Sequence, residues 1–184
     1  MLCLYFSLSS SFLFLALLEN DRCLVSIQKE NARQHSENFL TYLQKILVKT
    51  NHNLKKIKEF YFTSQPSGQT GLRVSLAFLA TCQVLNPQIK IYHLNTLLLQ
   101  AGTGNFISLL TINSQGSKYH MAVYRNKECL LTSQIVYQEE LKKIKEKFPN
   151  FLTLKDFERI DFLTNFQKLK NKFVLMDTTE EIDY

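Results

Sequence analysis

The apolar positions divide the chain into short segments that alternate between strand and helix character. Apolar runs at residues 2–7, 12–18 and 23–28 are separated by short polar stretches, which predicts three antiparallel strands at the start. After them the apolar spacing becomes helical and continues to about Lys49. We expect Ser36 to cap this helix, because a serine oxygen can accept a hydrogen bond from the first helical turn.

The rest of the chain continues the alternation of strands and helices. A short aromatic strand at 60–62 precedes a polar loop and a second helix at 70–85, with Thr70 as its expected cap and Pro87 preventing its continuation. The later segments predict a strand at 89–93, a short helix at 94–101, a hairpin formed by 106–112 and 119–125 around a turn at 113–117, a strand at 129–137, a helix at 139–147 and a strand at 173–176.

This order of elements predicts the class of fold. Three antiparallel strands followed by alternating helices and strands are typical of a ribonuclease H-like half, the unit from which actin-like ATPases are built. Right-handed crossovers would place the later strands parallel to the first and the helices on the sheet. We therefore expect an α/β protein with a mixed sheet flanked by helices. Its N-terminal ribonuclease H-like half should cover residues 1–102, and a reduced C-terminal half should cover 103–184.

Residues 1–18 are apolar enough to suggest a signal peptide or a membrane anchor. No lysine or arginine precedes the run, serines interrupt it from Ser7 onward, and Glu19 follows it directly. Two strands with a serine-rich turn fit this pattern better, so we expect a cytoplasmic protein without membrane contact. The alternative is a membrane-anchored interaction protein.

The charge is unevenly distributed along the sequence. The net charge is +6, and residues 29–90 carry nine basic and three acidic side chains. A basic segment can attract RNA or an acidic protein partner, or it can simply be a solvated surface, and the sequence leaves these alternatives open. The four cysteines are too far apart for a paired-cysteine metal or redox motif and are expected to be free thiols: Cys3, Cys23, Cys82 and Cys129.

The chain has few residues that could carry out chemistry. The loop 67–73 is similar to a phosphate-binding loop but lacks its lysine, so Thr70 either caps the helix or helps to bind an anion at the helix start. No two histidines lie within four residues of each other, which excludes the usual helical metal-binding pairs. We predict no catalytic residue, no metal and no cofactor.

Two segments resemble the TsaB (YeaZ) family. Segment 33–49 looks like the first helix of these proteins, which begins with Gln/Arg-His-Ser-Glu. Segment 65–85 is similar to the family signature Gly-Pro-Gly-Ser-Phe-Thr-Gly-Leu-Arg and the helix after it. With the N-terminal strands the resemblance covers about residues 1–125. Five positions of the signature match, and the other four depart from it; the matching residues are Pro66, Thr70, Gly71, Leu72 and Arg73.

The resemblance also shows where this chain differs from its relatives. The family usually has Asp-Thr at the end of the first strand, where this chain has Ser7 and Leu8. The positions that face a nucleotide in the actin-like fold are therefore eroded. A nucleotide-binding enzyme of this fold, the alternative function, would require carboxylates at this strand end.

What the resemblance implies is a partner subunit rather than an enzyme. TsaB proteins pair with TsaD, and together with TsaE the pair transfers threonylcarbamoyl to the adenosine adjacent to the tRNA anticodon. The two signature helices pack against the same helices of TsaD, or of a second TsaB, as a four-helix bundle. We therefore expect a TsaD heterodimer, a larger complex with TsaE, a possible homodimer of the isolated protein, and indirect contact with tRNA.

The expected partner-binding residues lie on these two helices. Their apolar side chains cover more of the first helix than one sheet would bury, and small residues on the second helix could admit a partner helix. The alternative is that all of them are core residues. The expected partner-binding residues are His35, Phe39, Tyr42, Leu43, Ile46, Gly71, Ser75, Leu79 and Cys82. Pro66, Thr70, Gly71 and Arg73 are expected to shape the loop between the helices.

Overall fold

The computed structural model describes residues 1–8, 12–30, 35–66, 68–112 and 116–176. In chain order the elements are β1 (Leu2–Leu8), β2 (Phe12–Glu19), β3 (Arg22–Glu30), α1 (His35–Thr50), β4 (Glu59–Thr63), α2 (Gln69–Leu85), β5 (Lys90–Leu94), α3 (Thr96–Ala101), β6 (Asn105–Thr111), β7 (Lys118–Arg125), β8 (Glu128–Tyr137), α4 (Gln138–Lys147), β9 (Leu152–Lys155), α5 (Phe162–Lys168) and β10 (Val174–Met176), with 3-10 turns at Leu54–Lys56 and Lys170–Lys172.

The chain forms two compact units. The first contains Met1–Leu94 and Lys172–Tyr184, and the second contains Asn95–Asn171. This division differs from the boundary predicted at residue 102, since α3 packs on β6 and therefore groups with the second unit. The strand β10 groups with the first unit because it pairs with β5.

The first unit has the sheet of a ribonuclease H-like half. Its strand order is β10-β5-β4-β1-β2-β3. The first three strands pair antiparallel, β4 is parallel to β1, and β5 is parallel to β4. This confirms the predicted fold class and the predicted order of strands and helices.

The core of the first unit lies between this sheet and its two helices. Alternate residues of β1, from Leu2 to Leu8, face the helices, as expected for the two-residue period of a strand. Phe6 is central, with its ring 5.4 Å from that of Phe39 on α1 and 5.8 Å from that of Phe62 on β4. The strand β1 lies between β4 and β2, and all of its residues are buried. A strand buried on both faces needs apolar side chains at nearly every position, which explains its almost continuous apolar sequence.

The N-terminal apolar run is part of this sheet. The predicted strands are confirmed as β1 and β2, while the serine-rich turn at 9–11 lies outside the described residues. Within the described ranges, no helix combines the length and the apolar content that a membrane crossing requires.

The second unit is built on a four-stranded sheet of order β8-β7-β6-β9. The strands β6, β7 and β8 pair antiparallel, which confirms the predicted hairpin, although the turn residues 113–115 lie outside the described part of the chain. The strand β9 pairs parallel to β6 and was not predicted. Leu141 of α4 packs on one face of this sheet in a core that includes Leu109 and Met121.

One buried amide joins three elements of the second unit. The side-chain NH2 of Gln100, on α3, directs its two N–H groups at three acceptors, Ser108 Oγ at 2.8 Å, the Leu109 carbonyl at 3.1 Å and the Leu154 carbonyl at 3.2 Å, so one N–H is shared between two of them. Its side-chain oxygen accepts from the Phe157 backbone N–H. Gln100 is 2% exposed, so each of these groups depends on protein partners rather than on water.

Both predicted helix caps are wrong. The helix α2 begins at Gln69 with Gly68 as its N-cap, and Thr70 lies inside the first turn with its side chain exposed. The helix α1 begins at His35, so Ser36 is within the helix rather than before it. In both cases the helix starts earlier than the apolar periodicity indicates.

Candidate partner-binding surface

An open groove lies between α1 and α2 on the outer side of the first unit. Both helices pack on the same face of the sheet, because their inner residues join one core cluster with β1. The groove has a volume of ≈ 330 Å³ and no charged side chain in its lining. The residues that line this α1/α2 groove are Phe39, Leu40, Val74, Ala77, Phe78 and Thr81.

The floor of the groove is aromatic. Phe78 meets Phe39 at nearly a right angle, with 5.0 Å between ring centroids, and also lies 5.9 Å from Phe60 and 6.0 Å from Phe6. Edge-to-face contacts of this kind fix ring positions in addition to burying apolar area. The floor is therefore part of the core and is preformed.

The walls of the groove are exposed to solvent. Leu40 of α1 is 58% exposed, and Ala77 and Thr81 of α2 are exposed as well. The outer apolar side of α2 continues to Leu85, which is 70% exposed. Exposed apolar residues at helical spacing beside an apolar groove are typical of a protein–protein contact surface.

Most of the predicted partner-binding side chains are buried in the first unit itself. The core cluster includes Phe39, Leu43, Ile46, Leu79 and Cys82. Of these residues, only Phe39 also borders the groove. The others are not on the surface that the two helices present.

Tyr42 and His35 are the two other predicted partner-binding residues on α1. Tyr42 is partly buried against the core, and the Lys45 ammonium lies 5.3 Å from the centre of its ring. The side chain of His35 lies outside the described residues.

Gly71 makes room for the chain's own sheet. A Cβ atom at this position would lie 1.9 Å from the carbonyl oxygen of Leu8 at the end of β1. Ser75, one turn later, is buried and its hydroxyl donates to the Gly71 carbonyl at 2.9 Å. These contacts correct the expectation that the two small residues admit a partner helix, because the close approach is between α2 and β1.

Cys82 is the third small residue of α2 in the predicted set, and it is buried. Burial raises the pKa of the Cys82 thiol to about 11, so the thiol stays protonated at neutral pH. In the predicted loop, Pro66 is buried, whereas Thr70 and Arg73 are exposed on the first turns of α2.

The carboxyl ends of β1, β4 and β5 carry a second group of polar residues. Ser7 is buried and its hydroxyl lies 2.7 Å from the Thr63 hydroxyl. Ser64 donates to the Leu94 carbonyl at 3.3 Å, and His93 Nδ1 lies 3.2 Å from the Ser64 hydroxyl. None of these side chains is a carboxylate. Among the described residues there is also no cluster of three or more His, Cys, Asp or Glu that could hold a metal ion.

The groove residues other than Phe39 were missed in the sequence. The signal that could have found them is the spacing of Val74, Ala77, Phe78 and Thr81, which form a stripe beside the core-facing stripe of α2. The sequence predicts a broad apolar side on α1, but Phe39 on that side is covered by Phe78 of the same chain.

Comparison with known proteins supports the same fold. The chain is 26% identical over 139 residues to the uncharacterized protein MG208 homolog of Mycoplasma pneumoniae, covering 70% of this chain and 71% of that protein. It superposes on YeaZ from Pseudomonas aeruginosa with a TM-score of 0.60 at 16% identity, covering 74% of this chain and 66% of that chain. A second structure, described as similar to peptidase YEAZ from Pseudomonas aeruginosa, gives 0.62 at 18% identity, covering 75% of this chain and 67% of that one.

A family model also matches most of the chain. The model is described as TsaD: tRNA N6-adenosine threonylcarbamoyltransferase, and it matches residues 27–163. The matched range includes both helices of the groove and most of the second unit. The chain belongs to this TsaD family and has the fold of YeaZ, which confirms the resemblance found in the sequence.

Proposed function

We propose that this protein is a non-catalytic cytoplasmic subunit that binds TsaD and supports threonylcarbamoyl transfer to the adenosine adjacent to the tRNA anticodon. TsaE joins the pair in a larger complex, and the isolated protein can pair with itself through the same surface. The observation that carries the proposal is the exposed apolar α1/α2 groove.

The groove has the shape and chemistry to receive a helix. Its lining has no charged side chain, and the hydroxyl of Thr81 already donates to the Ala77 carbonyl at 2.8 Å, so a partner helix can bury apolar surface there without leaving a charge unpaired. The helices α1 and α2 have 16 and 17 residues. A helix of this length is about 25 Å long and about 10 Å wide, so the pair offers a face roughly 25 by 20 Å. A flat face of this size, about 500 Å², is enough for a small interface but is below the about 800 Å² per partner of a standard one.

The strand-end polar cluster supports a role without chemistry. An actin-like enzyme needs carboxylates near the end of the first strand to hold a metal-bound nucleotide, and this chain has Ser7 there with its hydroxyl beside Thr63. We expect no ATP-dependent signal when the purified chain is titrated with Mg-ATP in a calorimeter. Micromolar binding of ATP would instead favour the alternative of a nucleotide-dependent enzyme.

The groove can be tested by co-expressing the chain with TsaD from the same organism. We expect wild type to form a heterodimer, measured by light scattering after size exclusion, and Leu40→Glu or Ala77→Glu to weaken it. A carboxylate placed in an apolar interface costs about 3 kcal/mol or more, so the dissociation constant should rise by about 100-fold or more.

A matched control separates the groove from a general effect of an added charge. Leu152 on β9 is an exposed leucine in the second unit, so Leu152→Glu makes the same chemical change elsewhere. We expect this variant to bind TsaD like wild type. Equal binding by Leu40→Glu, Ala77→Glu and wild type, with native circular dichroism for all three, would contradict the proposal.

A further inference from the structure

One end of the first unit concentrates its positive charge. The helices α1 and α2 both finish at this end and the strands β4 and β5 both begin there, because each helix runs antiparallel to the strand that follows it. Five lysines on these termini and the turns between them have exposed side chains. We call these residues the lysine end surface: Lys49, Lys55, Lys56, Lys58 and Lys90.

The backbone that carries these lysines is held in place. The Lys90 N–H donates to the Lys58 carbonyl at 2.9 Å, so these two lysines sit on directly paired strand starts. The 3-10 turn Leu54–Lys56 is capped by Asn53, whose side chain accepts from the Lys56 N–H at 3.2 Å. The next residue, Ile57, is fully buried and anchors the turn in the core. The backbone positions of Lys55, Lys56, Lys58 and Lys90 are therefore fixed by hydrogen bonds and by the buried Ile57.

Few negative groups among the described residues balance this charge; the four acidic residues of segment 177–184 follow β10, whose last residue Met176 pairs with Ile91, and lie outside the described residues. Between residues 38 and 90 the sequence has a single acidic residue, Glu59. Its side chain is 8% exposed and accepts a hydrogen bond from the Tyr61 hydroxyl at 2.8 Å, so it does not face solvent among the lysines. The acids Glu19 and Asp21 lie at the same end of the sheet, at the end of β2 and in the turn that follows it, with β1 between them and β4.

The polar neighbours of the lysines are amides. Asn51, Asn53 and Gln88 are exposed, and Asn86 is partly exposed at the end of α2. Amide N–H groups and ammonium groups are the donors that proteins commonly direct at phosphate and ribose oxygens. Among the described residues this surface consists of lysines and amides without an exposed carboxylate, which matches the regular negative charge of a nucleic acid backbone more closely than it matches an acidic protein segment.

We propose that the lysine end surface binds the phosphate backbone of RNA. The inference rests on the proposed function in one respect, since tRNA is the RNA that such a complex would hold. The contact reads no base sequence, because lysine and amide donors on phosphate oxygens carry none. It brings tRNA into direct contact with this subunit, which goes beyond the indirect contact expected from the family resemblance.

The test measures the affinity of the full-length chain for fluorescently labelled bulk tRNA by anisotropy at several salt concentrations. The variant is Lys55→Gln/Lys56→Gln/Lys58→Gln/Lys90→Gln. We expect its dissociation constant to be roughly 30-fold higher than that of wild type at low salt. The slope of log affinity against log salt should become shallower by about 3 to 4, roughly one for each lost lysine–phosphate contact.

The control removes the same charge from another surface. The helix α4 carries four exposed lysines among three glutamates, so Lys142→Gln/Lys143→Gln/Lys145→Gln/Lys147→Gln lowers the net charge equally. We expect this variant to keep its affinity within about twofold of wild type, because its lysines have neighbouring carboxylates. Equal weakening by both variants, or no tRNA binding by wild type, would overturn the proposal.

Two further readouts separate the remaining outcomes. Poly-L-glutamate that displaces tRNA as effectively as unlabelled tRNA does would overturn the RNA assignment and indicate an acidic protein partner. TsaD binding, measured by light scattering on the same preparations, reports the groove independently. A heterodimer with unaltered tRNA affinity in the lysine variant would refute this inference alone. Lysine-dependent tRNA binding without a heterodimer would refute the proposed TsaD partnership alone.

Discussion

Gly71→Ala is expected to destabilise the first unit by about 2–3 kcal/mol. The new Cβ would lie 1.9 Å from the Leu8 carbonyl oxygen, far inside van der Waals contact, so α2 or the end of β1 must shift. The contact is with backbone on both sides and no side chain can rotate away, which places the cost near the upper end for overpacked sites. Alanine's better helix propensity offsets about 1 kcal/mol of it.

Urea unfolding followed by circular dichroism would measure this effect. Thr70→Ala is the matched control, because it changes the neighbouring residue on the same turn, whose side chain is exposed. We expect the control to change the free energy of unfolding by less than about 0.5 kcal/mol. A Gly71→Ala protein as stable as wild type would mean that α2 does not start against the end of β1.

The second large effect is expected from Gln100→Leu, at about 3 kcal/mol in the second unit. Leucine has a similar volume but leaves Ser108 Oγ, two carbonyls and the Phe157 N–H without the partner that Gln100 provides. Ser108 retains its own donation to the Leu97 carbonyl at 2.8 Å, and the Leu109 carbonyl still accepts from the Asp156 N–H at 3.0 Å, so the Phe157 N–H and the Leu154 carbonyl lose most. Each buried group left unsatisfied costs about 1–3 kcal/mol, partly offset by the apolar gain of leucine.

Hydrogen exchange of the β6 and β9 amides, measured on the full chain, would show whether the loss of stability lies in these strands. Gln134→Leu makes the same change at an exposed position on β8, and we expect it to leave exchange in β6 and β9 unchanged. Undiminished protection of β6 and β9 in Gln100→Leu would show that this amide does not join the three elements.

The order of elements was predictable because the apolar period changes clearly along the chain. The strands β1 and β2 are nearly continuous apolar runs, and α1 and α2 have apolar residues every three to four positions. The strand β9 was missed because it has only four residues, two of them exposed, so its alternation is too short to stand out. Its place in the sheet depends on the tertiary pairing with β6, which has no local signature.

The sequence predicts which two helices form the candidate surface, but it does not predict which of their residues are exposed there. Periodicity shows that Phe39, Leu43 and Ile46 share one side of α1, yet it cannot show what covers them. In the structure the sheet and Phe78 cover them, and the exposed part is displaced to the flank that carries Leu40. Ser7 was expected at the end of the first strand and lies at the end of β1, whereas its contact with Thr63 at the end of β4 depends on the pairing of the two strands and was not predicted.

The return of β10 to the first sheet has a consequence for synthesis on the ribosome. The strand β5 gains its outer neighbour only when residues 174–176 have emerged, after the whole of the second unit has been translated. At about 5–20 residues per second, the intervening stretch 95–171 takes roughly 4–15 s to synthesise. During that interval the nascent chain exposes an unpaired edge at β5, which begins with the exposed lysine Lys90. A lysine on an open edge discourages pairing with strands of other chains, so the same side chain that we assign to RNA contact also protects the unfinished protein from association.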